Sequence, residues 1–312
     1  MCSPAPLENA SAGPPDGYAV RSETNQRENN EDCYEVYDLE SAGAQRPVKV
    51  LAVADGMGGH AHGEHASRET LSTFGRTLSE QLRAQADACN RDDRHQFDGQ
   101  LLSGALRNSV HEASAHVRRI AAANRWGRIG STIVVVVILG DTAIAINPGD
   151  SPLFHYRTVG GELTKVTDDH TVAGALERAG MITPEMARYH EGRGRLEFFV
   201  GADTMPREDP IYRVDLADGD LLLLCSDGVS GSLLREHIAE ILSVRGNSLE
   251  DMATRLLQAA LDAGETDNQT LILWRHESAA GLHASTGSVG RTTDASDEAS
   301  PHAVPDPIGN RR

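Results

Sequence analysis

The chain has 312 residues, enough for one large domain or two small ones, and its 39 % hydrophobic and 24 % charged residues are in the range of a folded globular protein. Its 46 acidic against 29 basic side chains give a formal net charge of -17, which disfavours nucleic acid or an anionic lipid surface as the main partner, because basic faces bind both. The longest apolar run, Ile133 to Leu139, is strand-sized and far from the roughly 20 residues that span a bilayer, so no membrane segment is expected.

Residues 1 to 16 are rich in Pro, Gly, Ala and Ser and read as a flexible lead, without the basic start and apolar stretch of a secretory signal. One folded domain is expected over residues 17 to 277. Val48 to Ala54 is an apolar strand closed by Asp55-Gly56. Ala66, Leu71, Phe74, Leu78 and Leu82 mark one helix. Leu102, Leu106, Val110, Ala113, Val117 and Ile120 recur at spacings of three and four and mark a second, amphipathic one. Thr132 to Leu139 and Thr142 to Ile146 read as strands of a hairpin turning at Gly140-Asp141. Leu153 to Arg157 is a further strand, and Thr183-Pro184-Glu185 a helix start. Ile211 to Asp215 and Leu221 to Cys225 read as a second hairpin around Asp218-Gly219. Helices over Leu233 to Leu242 and Leu249 to Leu261 and a strand over Thr270 to Trp274 complete the domain. Residues 278 to 312 are small, polar and Pro-containing, and a disordered tail is expected there. This order of elements predicts an α+β fold with mostly antiparallel sheets. The four cysteines, Cys2, Cys33, Cys89 and Cys225, form no C-x-x-C pair, which suits reduced thiols in a cytoplasmic protein.

Four aspartates stand at the ends of apolar strands: Asp55, Asp150, Asp227 and Asp267, three of them beside a glycine. Any single Asp-Gly reads most simply as a turn. Four such carboxylates brought together would repel one another at pH 7 and call for hard divalent cations with oxygen ligands. Sequence alone does not establish that the four strand ends converge.

Seven short motifs follow one another between Arg27 and Asn268: Arg27-Glu28-Asn29-Asn30-Glu31-Asp32; Val53-Ala54-Asp55-Gly56-Met57-Gly58-Gly59-His60 with Gly63-Glu64 and Ala66-Ser67; Gly130-Ser131-Thr132; Gly149-Asp150-Ser151; Thr167-Asp168-Asp169-His170; Cys225-Ser226-Asp227-Gly228; and Asp267-Asn268 with Thr270. In these the chain resembles the metal-dependent PPM protein phosphatases, the protein phosphatase 2C family, in its bacterial form. The resemblance implies a four-layer α-β-β-α sandwich of two antiparallel sheets flanked by helix pairs, with a metal site at one end. It implies two Mn²⁺ or Mg²⁺ ions, Asp55 bridging them, the Gly56 carbonyl on one, and Asp227 and Asp267 on the other. Asp150, with Asp227, corresponds to the position of a weaker third ion. Arg27 corresponds to the arginine that grips the substrate phosphate, Glu31 and Asp32 to acidic groups that hold metal-bound water, and Asn268 to a support for Asp267. The implied reaction is hydrolysis of phosphoserine or phosphothreonine in proteins by a metal-activated water.

The implied partners are a phosphorylated protein and a cognate bacterial Ser/Thr kinase, and the implied enzyme is a cytoplasmic monomer. The competing reading is a catalytically inactive member that binds phosphoproteins; retention of Arg27, Asp55, Asp227 and Asp267 favours activity. His60 follows Met57 by three residues, and a direct catalytic role is the minor reading for it. A zinc site at His62 and His65 is disfavoured by their Gly-rich setting. No P-loop and no C-x5-R phosphatase loop is present, and Cys33 and Cys225 read as packing residues. Thr24 stands where relatives carry glycine. A β-branched residue resists positive φ, so a different local turn is expected before Arg27. Pro148 and Pro152 flank Asp150 and depart from the family pattern there. Residues 171 to 194 correspond to a flap beside the site, in which Arg188, Arg193 and Arg195 are candidate contacts for a phosphorylated segment.

Overall fold

The alternation of side chains along four central strands explains the architecture. In a computed structural model, residues 17–39, 48–58, 62–89, 99–206 and 210–278 are described. The flexible lead expected over residues 1 to 16 lies outside them, as does the expected tail apart from Ser278. Strand β3 (Val48–Gly58) sends Val48, Val50, Ala52 and Ala54 to one apolar layer, and Leu51 and Val53 to another. Strand β5 (Val134–Leu139) divides the same way, with Val135 and Val137 against Val134, Val136 and Ile138. Successive side chains on a strand point to opposite faces. These runs are therefore apolar throughout because both faces are covered.

Two antiparallel sheets result. One has the order β1 (Tyr18–Glu23), β11 (Gln269–Arg275), β10 (Leu221–Cys225), β7 (Leu153–Arg157), β8 (Glu162–Lys165). The other has the order β2 (Asp32–Leu39), β3, β5, β6 (Thr142–Ile146), β9 (Ile211–Asp215), with β4 (Ile129–Ser131) paired to the far end of β3. Leu222, Leu224, Ile272 and Trp274 meet Leu51, Val53, Val134 and Val136 in the layer between the sheets. Helices α1 (Gly63–Cys89) and α2 (Gly99–Asn124) bury Leu71, Phe74, Leu78, Leu102, Leu106 and Val110 against the outer face of the second sheet. Helices α6 (Arg235–Ser243) and α7 (Leu249–Asp262) bury Ile238, Leu242, Leu256 and Leu257 against the first. This is the expected α-β-β-α sandwich. Both helix stripes read from the sequence face the core, except that Ile120 at the end of the second is only half-buried.

The second expected hairpin does not form. β9 pairs with β6 in one sheet and β10 lies between β11 and β7 in the other, so Asp218-Gly219 is a corner between sheets. β9 is half-exposed, as suits an edge strand, whereas every residue of β10 is buried, as suits a central one. The first hairpin forms as read, with Leu139 opposite Thr142. The helix start at Thr183 also holds: its hydroxyl accepts from the Met186 N–H and opens α4 (Pro184–Tyr189). Helix α4 and its neighbour α3 (Val172–Arg178) make up the segment between β8 and β9.

Candidate metal centre

The acidic motifs meet at one end of both sheets. Asp55 lies within β3, directly opposite Asp32 of β2. The strand does not stop at Asp55 as the sequence suggested, because β4 pairs its continuation, with Gly56 opposite Ser131. The Asp55 backbone is fixed on both sides. Its N–H donates to Thr132 Oγ1 at 3.0 Å, and its carbonyl accepts from the Thr132 N–H at 2.8 Å and the Ser131 hydroxyl at 2.9 Å. Thr132 Oγ1 also shares a 2.7 Å hydrogen bond with Ser151, the neighbour of Asp150. One Ser-Thr pair thus positions two of the predicted acidic residues.

Gly56 is required by space. A Cβ there would stand 2.1 Å from the Gly63 carbonyl oxygen and 2.6 Å from that of Glu31, to which the Gly56 N–H donates at 3.1 Å. The Glu31 carboxylate accepts from the backbone of Gly63, the first residue of α1, where the helix end favours negative charge. Burial pushes the Glu31 pKa up, opposed by that hydrogen bond and by Arg27.

Asp227 is the first residue of a short helix, α5 (Asp227–Ser230), and so is set directly at the end of β10. A Cβ on Gly228 would stand 1.9 Å from the Asn268 carbonyl oxygen, so the Asp227 and Asp267 loops touch through that glycine. Ser226, just before, donates to Asp32 Oδ2 at 2.8 Å and accepts from the Thr270 N–H at 3.1 Å. Asp32 is 3 % exposed, and its Oδ1 is buried with no hydrogen-bond partner. Its pKa is pushed up to about 7, first by burial and then by the charges of Asp227 and Asp267, against hydrogen bonds from Ser226 and Thr270.

Asn268 ties three segments together. Its Oδ1 accepts from the Glu31 N–H at 2.9 Å, its Nδ2 donates to the carbonyls of Thr24 at 2.9 Å and Asn29 at 3.0 Å, and its N–H donates to Asp267 Oδ1 at 2.8 Å. The turn before Arg27 is built differently from a glycine turn. Asn25, not Thr24, takes the positive φ of 53°, and its amide donates to the Asp267 carbonyl at 2.6 Å. Asn25 was missed from sequence; the β-branched Thr24 was the only hint. Arg27 projects from this turn half-exposed, and its guanidinium pairs with Asp267 Oδ2 at 2.5 Å.

Burial and neighbouring carboxylates hold the pKa values of Asp55, Asp150 and Asp227 up. For Asp55 burial comes first, then the charges of Asp32, Asp227, Asp150 and Asp267; for Asp150 burial, then Asp227 and Asp169; for Asp227 burial, then Asp267. All three residues are partly buried and not sealed in the interior. Among the described residues no three acidic, histidine or cysteine side chains close into a finished ligand shell. Asp169, of the Thr167–His170 motif, lies close by. Its Oδ2 pairs with Lys165 at 2.6 Å, its Oδ1 is buried without a partner, and its charge acts on Asp150.

His60 lies outside the described residues. His62 and His65 both stack on Trp126, with centroids 4.8 Å and 5.1 Å away. Cys33 and Cys225 are buried and in no disulfide, and burial pushes the Cys225 thiol up to about 12, as suits a packing residue. The flap segment leans on the site: Arg188 of α4 donates to the Gly231 carbonyl at 3.3 Å, and the Gly231 N–H donates to that of Asp227 at 2.6 Å. Arg193 and Arg195 are exposed. Among the described residues no helix is long and apolar enough to cross a membrane.

A sandwich of two antiparallel sheets with a carboxylate cluster at one end defines the class. Residues 22–272 match the family described as Protein phosphatase 2C, and the chain belongs to that family. It is 32 % identical over 258 residues to the Mycobacterium tuberculosis serine/threonine protein phosphatase PstP, covering 82 % of this chain and 44 % of PstP. The chain thus spans less than half the length of that relative. It is 29 % identical over 247 residues to the protein phosphatase PhpP of Streptococcus pneumoniae, covering 79 % of this chain and 92 % of PhpP. Among solved structures, that of the M. tuberculosis phosphatase PstP superposes with a TM-score of 0.66 at 30 % identity, over 83 % of this chain and 98 % of the other. The catalytic domain of PstP in complex with two manganese ions gives 0.61 at 29 % identity, over 82 % and 96 %.

Proposed function

We propose that this chain hydrolyses phosphoserine and phosphothreonine in proteins, with divalent Mn²⁺ or Mg²⁺ held by its carboxylate cluster. The observation that carries the reading is the meeting of Asp32, Asp55, Asp150, Asp227 and Asp267 at one end of both sheets, with Arg27 beside them. The donor set fits hard cations: the groups are carboxylates, their charges repel, and two buried carboxylate oxygens, Asp32 Oδ1 and Asp169 Oδ1, have no partner. Asp55 and the Gly56 carbonyl would hold one ion, Asp55 with Asp227 and Asp267 the second, and Asp150 with Asp227 a third and weaker one. Bound there, such ions supply positive charge and the acidification of water near neutral pH.

The chain's own groups do the rest. Arg27 stands on an exposed turn with a planar fork that suits two phosphoryl oxygens at once. Asp32 Oδ1 offers an acceptor to a water in the site, while Ser226 holds the other oxygen and so fixes the direction of the first. Glu31 is locked to the start of α1 and keeps the Gly56 carbonyl in place through its own backbone. Asn268 holds the Arg27 and Asp267 segments at one spacing. The exposed Arg193 and Arg195 suit contacts to a phosphorylated segment. A cognate Ser/Thr kinase, a cytoplasmic location and a monomeric state accompany this reading.

The test is hydrolysis of a phosphothreonine peptide by metal-stripped protein, with Mn²⁺, with Mg²⁺ and with chelator. Activity that returns only with added ion is expected, and Asp227→Asn should lose at least about a thousandfold in kcat while remaining folded, the scale of removing one preorganised charge-stabilising group. No activity in any arm, from folded protein that binds Mn²⁺, would refute the reading and leave a phosphoprotein-binding role.

A further inference from the structure

At the end of the first sheet opposite the carboxylates, the tips of β7 and β10 and the α6–α7 connection enclose a recess of about 540 Å³. Its floor is apolar and buried: Leu221 of β10, Leu242 of α6 and Met252 of α7. Its charged groups are of one sign, and its other polar residues are Tyr156, Thr158, Ser243 and Asn247. Arg245 and Arg275 line it, and no aspartate or glutamate does, in a chain whose net charge is -17. Neither guanidinium has a hydrogen-bond or ion-pair partner among the described residues, although Arg275 is half-buried. The Nδ2 of Asn247, also in the wall, is buried and unpartnered.

Charge and volume define what fits. A buried amide donor without an acceptor is costly unless something accepts from it. Two guanidinium forks present donors only, and the unpartnered Asn247 Nδ2 is a further donor, which matches the oxygens of a phosphate group. The volume falls in the range of small-molecule sites, and the floor would take an apolar or planar body. We infer that this recess binds a small organic phosphate, of the size of a nucleoside monophosphate, with the phosphate on Arg245, Arg275 and Asn247 and the body on Leu221, Leu242 and Met252. The site is separate from the carboxylates: from Leu221 to Asp227 the chain runs six residues of mostly extended strand, roughly 20 Å.

The experiment uses the full chain with Mn²⁺ replaced by diamagnetic Mg²⁺ and follows backbone amide resonances by NMR while AMP, inorganic phosphate or adenosine is added to several millimolar. Gly160, Gly219 and Gly246 line the recess and report on it alone. Saturable shifts of these amides with AMP are expected, at an affinity at least tenfold above that of phosphate or adenosine. The double substitution Arg245→Gln with Arg275→Gln should weaken AMP binding at least tenfold while leaving thermal stability and peptide dephosphorylation unchanged, since neither residue belongs to the proposed catalytic set. No shift at these glycines with any probe would overturn the inference, as would shifts the double variant does not weaken. Equal affinity for AMP and inorganic phosphate would overturn the role given to the apolar floor.

Discussion

Asp32→Asn should stabilise the metal-free protein, and should do so only toward alkaline pH. Asp32 is 3 % exposed and its pKa is pushed up to about 7 from the ordinary 3.8, by burial first and then by Asp227 and Asp267. A carboxyl whose pKa is higher folded than unfolded keeps its proton in the folded state where the unfolded chain has lost it. Stability from that source is complete below pH 3.8 and drains away as pH rises through about 7. At 1.36 kcal/mol per pH unit the loss is roughly 4 kcal/mol, a large share of the 5–15 kcal/mol that holds a typical domain folded. Asp55, Asp150 and Asp227 are shifted the same way, so the metal-free wild type should weaken further over this range. Burial and Arg178 lower the His170 pKa, which acts in the opposite sense but equally in both proteins. The assay is urea unfolding of metal-stripped wild type and variant at several pH values from 4 to 8. The variant should match the wild type near pH 4 and exceed it by up to roughly 4 kcal/mol at pH 8. A constant difference across the range, or a wild type that gains on the variant as pH rises, would refute the account of Asp32 as a buried, repelled carboxyl.

Arg27→Ala should lower kcat/KM on a phosphothreonine peptide by about 10- to 100-fold, the worth of one charge-assisted hydrogen bond to phosphate, as steady-state kinetics would read. An unchanged KM and kcat would remove Arg27 from phosphate binding. Gly228→Ala places a Cβ 1.9 Å from the Asn268 carbonyl, and should destabilise the fold by about 1–3 kcal/mol in urea and depress activity with it. Asn25→Val forces a β-branched residue to φ 53° and should cost about 1–2 kcal/mol, whereas Asn25→Gly keeps the turn and loses only the bond to the Asp267 carbonyl. Equal stability of these two variants by thermal unfolding would show that the backbone angle does not matter there.

What could be read from the sequence followed how much each segment buries. Doubly covered strands such as β5 and β10 are apolar throughout, and the two long helices carry plain stripes, so both were found. β1, β2 and β8 were not, because polar or charged residues such as Arg21, Glu35 and Lys165 interrupt their apolar runs and no turn dipeptide flagged them as it did the edge strand β9. The hairpin misread at Asp218-Gly219 has the same root: a turn dipeptide fixes a reversal locally, but which sheet the next strand joins is decided by burial on both its faces. The acidic residues were visible as strand-end aspartates in a family pattern. Of their supports, Asn268 was read from the family pattern, while Ser226 and Thr132 stood in motifs without a role and Asn25 was missed, since these act through hydrogen bonds to residues distant in the chain.

The pairing of β1 with β11, Tyr18 opposite Trp274, joins nearly the first described residues to nearly the last. Asn268 and Asp267 then clasp the Thr24–Glu31 loop from the same edge. As a ribosome releases the chain, Arg27, Asp32 and Asp55 emerge early and must wait for the final strand before their neighbours exist. Closing so long a loop is slow, and it comes late in folding. A nascent chain therefore carries the acidic residues before the neighbours they meet in the fold, and the cluster is complete only when the last strand has joined.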